Sequence, residues 1–401
     1  MSAESKRILN LVRDKPDPRD YKHKSRLLDP GGPPLPVMVD LRPVCPPIID
    51  QYGIGSCQSN CVANALMFDI LKQGLSETLP SRLFIYYNVR ALIGLQHGGE
   101  GESVRDTVKT VACLGWCEET LWPYIYPTLF MGMSGYIPCA PSDIGHTVYG
   151  SPSGASGILV NFDNTERWWV INPITGTFGS SGSDHCTIGA GAGVGDTTGI
   201  GNNINIKPPA NCYEPANNHK NILYERVDQD LDSLKAVLAE GLPICYGANI
   251  YFDVFSGISQ MPTYQETVIM NSSGYQNCDP TDVGKVVQFG TKQGILASYT
   301  NGTRTWVIDT KGSTYYVGDA CTIKGGAGVG TITNASSESI AGGHATIIVG
   351  YDDGSTFGPN RFICMNSWGS GWGIGGYYTI PYEFVLDPTL AFDFWVIKSV
   401  T

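Results

Sequence analysis

Hydrophobic and polar positions along the chain follow two rhythms. In the first, apolar side chains recur every three or four residues. The stretch "QYGIGSC" (51–57) runs into "CVANALMFDILKQ", where Val62, Ala65, Leu66 and Ile70 share one face, which predicts a helix entered at about Cys57. "SRLFIYYNVRALIG" and "SVRDTVKTVACLG" within 81–126, and "DQDLDSLKAVLAEGLP" within 229–245 with Asp232 near its start, carry the same helical period. In the second rhythm, short β-branched and aromatic runs stand on either side of turn residues. "GILVNF" and "RWWVIN" flank Asp163 to Glu166, and "GILASY" and "RTWVID" flank Asn301-Gly302, which predicts two hairpins. "GGHATIIVGYDD" predicts a strand at His344, and "RFICMNSWGSGWGIGGYYTIP" predicts further strands. Helices first and a sheet afterwards imply an α+β protein with a cleft between two lobes.

The two hairpins belong to longer blocks that match each other. "SGYIPCAPSDIGHTVYG" from Ser134 aligns with "SGYQNCDPTDVGKVVQFG" from Ser273, "GILVNFDNTERWWVIN" from Gly157 with "GILASYTNGTRTWVID" from Gly294, and "CTIGAGAGVG" from Cys186 with "CTIKGGAGVG" from Cys321. The offset drifts only from 139 to 137 to 135, so order is kept and the blocks read as an internal duplication. Each copy reads as a small β-module set into another protein. The expected organisation is an N-terminal arm (1–38), a helical lobe (39–126), a first module (127–206), the start of a β lobe (207–261), a second module (262–339) and the rest of the β lobe (340–401). The Gly-rich tails lack the Gly-Lys-Ser/Thr of a phosphate loop.

Composition narrows the function. The 401 residues are 42% hydrophobic and 16% charged, with a net charge of -11. That is a globular balance, and the negative charge argues against nucleic acid or an anionic membrane as a partner. No apolar run reaches the roughly 18 residues that span a bilayer. The charged N-terminus lacks a signal peptide's apolar stretch, which makes a cytoplasmic location the default expectation. Twelve cysteines are many for a reducing compartment, yet no Cys-x-x-Cys occurs, and neither a metal nor an organic cofactor has candidate ligands.

Outside the modules, "QYGIGSCQ", "GGHA" and "NSWGSGWG" stand in that order, and together they resemble the signature segments of papain-like cysteine peptidases; "VDLRP" at Val39 resembles the start of that family's mature domain. In the family the His follows the Cys by about 130–150 residues. Here His344 follows Cys57 by 287, and removing modules of 80 and 78 residues leaves 129. The resemblance implies a papain-like two-lobed fold, helical lobe plus β-barrel-like lobe, and an endopeptidase acting on polypeptides. It makes Cys57 the nucleophile, His344 its proton partner, Asn366 the orienter of the imidazole, Trp368 the shield of that contact and Gln51 the side-chain oxyanion donor. It also places Gly101 and the residues before His344 in the substrate wall. A free thiol of pKa about 8.5 is a poor nucleophile at neutral pH, so a helix N-terminus and a protonated imidazole are expected to hold Cys57 as a thiolate at rest.

The chain departs from the family in three places. Gln58 follows the nucleophile where an aromatic residue is usual, Ile54 stands at a disulfide position of secreted relatives, and 38 residues before Val39 are too few for their long inhibitory propeptide. The arm is left to wrap the body or to lie over the cleft. Within each module two cysteines keep equivalent places, so Cys139 and Cys186, and Cys278 and Cys321, are expected to be neighbours within bridging distance. Bridges would point to an exported or particle-associated protein. The modules are expected to offer binding surfaces for a protein or glycan. The rival reading of the whole chain is a catalytically silent papain-like scaffold displaying the two modules.

Overall fold

The computed structural model describes residues 8–95, 101–124, 127–179, 184–220, 222–251, 265–289, 292–309, 319–337, 340–354 and 360–399. After the short strand β1 (Met38–Asp40), three helices build the first lobe: α1 (Cys57–Lys72), α2 (Arg82–Leu92) and α3 (Val104–Leu114). Ser81 and Ser103 cap α2 and α3 by accepting the N–H groups of Phe84 and Asp106, satisfying donors the first turn leaves open. Helix α3 stops at Gly115, whose φ of 75° suits glycine and where a Cβ would strike the Ala216 carbonyl. Helix α1 is buried from Cys57 to Ile70, as a helix wrapped by other elements must be.

Strands β2 (Pro127–Met131), β3 (Thr147–Ser151), β4 (Ser156–Asp163), β5 (Trp168–Thr175), β6 (His185–Ile188) and β7 (Val194–Asn202) close into a barrel of order β2-β5-β4-β3-β6-β7. The chain returns through α4 (Ala210–Ala216), β8 (Ile222–Arg226), α5 (Leu231–Ala239) and β9 (Ile244–Tyr251). A second barrel follows: β10 (Gln265–Met270), β11 (Val286–Phe289), β12 (Lys292–Thr300), β13 (Thr305–Asp309), β14 (Ala320–Ile323) and β15 (Val329–Ser337), ordered β10-β13-β12-β11-β14-β15. Position for position, the two orders are the same.

Inside each barrel the same side chains do the same work. Asn164 accepts the Tyr136 hydroxyl at 2.8 Å and the Cys139 N–H at 2.9 Å, and donates to the Cys139 carbonyl at 2.9 Å. Asn301 treats Tyr275 and Cys278 alike, each contact at 2.9 Å. Trp169 and Trp306 donate their indole N–H groups to these tyrosines at 3.4 and 3.2 Å. Asp143 and Asp282, both buried, accept backbone N–H groups from Ala192 and Gly193 and from Ala327 and Gly328. A closed barrel leaves no sheet edge, and these clasps satisfy the polar groups its tight turns bury.

No bridge forms among Cys139, Cys186, Cys278 and Cys321: all twelve cysteines are free thiols. Each of the four lies in its barrel's hydrophobic core, where burial pushes the thiol up to about 12 and keeps it protonated. They serve as small hydrophobes there.

The last strands, β16 (Ile340–Asp352), β17 (Arg361–Met365), β18 (Tyr377–Pro381) and β19 (Ala391–Ser399), with α6 (Tyr382–Leu386), complete a seven-stranded sheet of order β18-β17-β16-β9-β19-β8, with β1 paired to β16. One core joins α1 to β16 and β19 through Cys61, Val62, Leu66, Ala345, Ile347, Val349 and Trp395. A second lies on α5 and α6. Among the described residues no helix is long and apolar enough to cross a membrane.

Candidate active site

Cys57 opens α1, and its thiol meets the backbone N–H of Ala345 on β16, one residue past His344. His344 Nε2 lies 2.8 Å from Asn366 Oδ1, which also accepts the Ser367 N–H at 2.8 Å. An amide oxygen fixed by that N–H can only accept, so Nε2 carries the proton and donates it. The Trp368 indole covers the pair, its ring centroid 4.8 Å from that of the imidazole, and Trp372 packs edge-on behind it at 5.0 Å. Cys57, His344 and Asn366 therefore converge where the lobes meet, one from a helix start, one from β16 and one from just past β17.

Gln51 is placed from both sides. Its N–H donates to the Ser367 carbonyl at 2.8 Å, its Oε1 accepts the Ser367 hydroxyl at 2.7 Å, and its Nε2 donates to the Ile54 carbonyl at 3.0 Å. Support comes from a buried group the sequence reading missed. The Tyr124 hydroxyl donates to the Gln51 carbonyl at 3.0 Å and touches Ser56 Oγ at 2.6 Å, while Arg82 reaches the Asp50 carbonyl, Asn60 and Glu119. Nothing in local sequence marks Tyr124 or Arg82, because their partners lie tens of residues away.

The site is closed, and the N-terminal arm closes it. Leu11 donates its N–H to the Gly343 carbonyl at 3.1 Å, and Val12 donates to the Glu102 carbonyl at 3.2 Å. A Cβ on Gly101 or Gly55 would collide with Asn10, and one on Gly342 or Gly343 with the carbonyl of Leu9 or Leu11. Glycine at these four positions is what lets a strand lie so close. The Leu11 side chain sits in the core shared by Cys57, Ala345 and Phe392, against Gly247. Gly101 thus faces the arm, in the wall where substrate was expected.

This closure changes the state of the thiol. Cys57 is fully buried. Burial pushes it up to about 12, against the Ala345 N–H, and the nearby Glu102 adds to the rise. Burial also holds the Glu102 carboxyl well above its usual range, although Arg90 Nε lies 3.4 Å away. In this closed form burial favours the thiol, which contacts Gln58 Oε1 at 3.3 Å, over the thiolate expected from the helix start and the imidazole. A thiolate needs water or a full positive charge, and the arm excludes the first. Gln58 replaces an aromatic residue with the acceptor for that thiol.

Residues 326–384, which include His344 and Asn366, match the model of the papain family of cysteine proteases. An uncharacterised peptidase C1-like protein of Acanthamoeba polyphaga mimivirus is 25% identical over 362 residues, covering 88% of this chain and 70% of that protein. Xylellain, a cysteine protease from Xylella fastidiosa, superposes with a TM-score of 0.56 at 26% identity, covering 100% of this chain and 99% of that one. Procathepsin L 3 of the Tenebrio molitor larval midgut aligns with 94% of this chain and 74% of its own at 12% identity and a TM-score of 0.41. The chain is papain-like in sequence and in its α+β fold.

Proposed function

We propose that this chain is a papain-like cysteine endopeptidase held in a blocked form by residues Leu9 to Val12. The observation that carries the reading is the His344–Asn366 contact of 2.8 Å beneath Trp368, on the strand whose next amide meets the Cys57 thiol at a helix start. With Nε2 donated to Asn366, Nδ1 is the nitrogen that takes the Cys57 proton once the arm leaves and water enters. The helix N-terminus then favours the thiolate. Cys57 Sγ attacks the peptide carbonyl, and its electron pair moves onto the carbonyl oxygen. The second proton of Gln51 Nε2 and the Cys57 backbone N–H hold that oxyanion, each donor contributing about 3–4 kcal/mol in the transition state. His344 then protonates the leaving amine, and water attack on the thioester regenerates the thiol.

A peptidyl epoxysuccinate and an unstructured protein substrate test this in the full-length chain. Leu11→Glu puts a charge into the apolar seat of the plug, so labelling at Cys57 and hydrolysis should both be faster than in the unaltered chain. Cys57→Ala should abolish both, His344→Ala should be nearly as severe, and Asn366→Ala milder. An absence of adduct and of hydrolysis in the Leu11→Glu protein would overturn the reading and leave the silent scaffold.

A further inference from the structure

The loop from Gln51 to Ser56 leads from one oxyanion donor to the other, the Gln51 amide at its start and the backbone N–H of Cys57 just past its end. Gly53 and Gly55 lie between, and a backbone with two glycines does not by itself fix how far apart the donors stand. One hydroxyl spans the loop. Tyr124 gives its proton to the Gln51 carbonyl at 3.0 Å, so in the 2.6 Å contact with Ser56 the serine Oγ is the donor. Asn60 Nδ2 donates to the same Oγ at 2.9 Å, and the Arg82 guanidinium lies 3.8 Å from the centre of the Tyr124 ring. The three residues ahead of Tyr124 are gripped by the first barrel. Asn161 on β4 donates to the Leu121 carbonyl, and Trp168 on β5 meets the Trp122 indole. The buried Asn203, just past β7, donates to the Pro123 carbonyl at 2.8 Å. From the helical lobe, the Ser81 hydroxyl donates to the Trp122 carbonyl at 2.6 Å.

We propose that Tyr124 is a positioning residue for the oxyanion hole and that the first barrel holds it in place. The proposal rests on the peptidase reading, and it gives the inserted barrel a part in the reaction. Tyr124 acts through the loop, not on the reacting atoms: its hydroxyl ties the Gln51 carbonyl to Ser56, and so sets Gln51 against the Cys57 N–H. The two donors lower the barrier only when both reach one oxygen at about 3 Å, and a misplacement of about 1 Å can cost as much as 100-fold in rate. The barrel enters because it grips the chain up to the residue before Tyr124. A shift of the barrel against the lobe moves the Pro123 carbonyl, then the Tyr124 ring, and then the hydroxyl at its end.

Tyr124→Phe keeps the ring beside Arg82 and removes only the hydroxyl. Hydrogen exchange reads its effect without turnover, at the Gln51 and Ile54 amides, which donate to the Ser367 and Gln51 carbonyls. In the full-length Cys57→Ala protein, Tyr124→Phe should lower protection of both amides about 10-fold, and Asn203→Ala about threefold. Hydrolysis is measured in the Leu11→Glu protein. There Tyr124→Phe should lower kcat about 10-fold with KM changed less than about twofold. Alkylation of Cys57 by iodoacetamide, a displacement of iodide that forms no oxyanion, should keep its rate within about twofold. When Gln51→Ala is already present, adding Tyr124→Phe should cost less than about threefold in kcat, because the hydroxyl acts through Gln51. Equal losses in alkylation and hydrolysis, or a full 10-fold loss in the Gln51→Ala background, would overturn the proposal. So would unchanged protection at Gln51 and Ile54 after either Tyr124→Phe or Asn203→Ala. A Leu11→Glu protein that hydrolyses nothing sinks the peptidase reading instead, and the exchange result still decides whether Tyr124 and the barrel hold the loop.

Discussion

The first barrel turns the face made by Phe130, Val160, Trp168 and Val170 onto the helical lobe, into one core with Ile54, Phe84, Trp122 and Tyr124. Trp168 meets Trp122 edge-on at 5.6 Å, Asn161 donates to the Leu121 carbonyl at 3.2 Å, and Arg90 reaches Ile204 and Asn205 just past the barrel. At the matching positions the second barrel has Ile269, Ala297, Thr305 and Val307, and Ser298 stands for Asn161. Its core cluster draws only on its own residues among those described. Identical internal clasps thus support two relations to the body, and the difference lies in a few outward side chains. An interior tolerates little change because each polar group must keep its partner, whereas a face is free to acquire an indole or lose one.

The sharpest test truncates the shared interior. Trp169→Ala and Trp306→Ala should each cost about 3–5 kcal/mol within their own barrel. The first should lower the unfolding temperature of the body as well, while the second should add a separate early transition and leave the body's transition in place. Calorimetry distinguishes the two patterns, and a single shared transition in the Trp306→Ala protein would break the comparison. The outward faces come next: Trp168→Ala should cost about 3 kcal/mol in chemical denaturation, and Thr305→Ala less than about 0.5. The smallest effect belongs to the polar pair. Asn161→Ala should cost about 1 kcal/mol by losing its bond to the Leu121 carbonyl, while exposed Ser298→Ala should be neutral.

What could be read in the sequence was what the chain decides locally or repeats. Helix α1 was visible in the spacing of Val62, Ala65, Leu66 and Ile70, and the β4–β5 hairpin in two apolar runs around Asp163, because period and turn chemistry are local. The chain order of Cys57, His344 and Asn366 was readable because each stands in a distinctive short segment. Barrel closure was hidden, since the pairing of β2 with β7 joins positions far apart without a sequence marker. The complete burial of Cys57 was hidden for the same reason. It depends on Leu9 to Val12 lying against Gly101 and Gly343, and an arm with few apolar residues gives no periodic sign of where it will dock. The cysteines make a related point: each pair stands in its own barrel's core as free thiols, so equivalent positions in two copies record a shared packing need that a buried thiol meets without a bond.

The second barrel hangs between β9 and β16, whose facing ends pair at Tyr251 and Ile340. Its own first and last strands also pair, Glu266 with Ser337. Once that barrel has folded, the long excursion between Tyr251 and Ile340 behaves as a single stitch in a hairpin, and the entropy of closing so large a loop has already been met locally. The strand that carries His344 can therefore find β9 almost as quickly as in a chain without the insert, since contact order as the body experiences it stays low. It follows that the position tolerates cargo: any unit whose ends lie one strand-spacing apart could be exchanged there with His344 still in register.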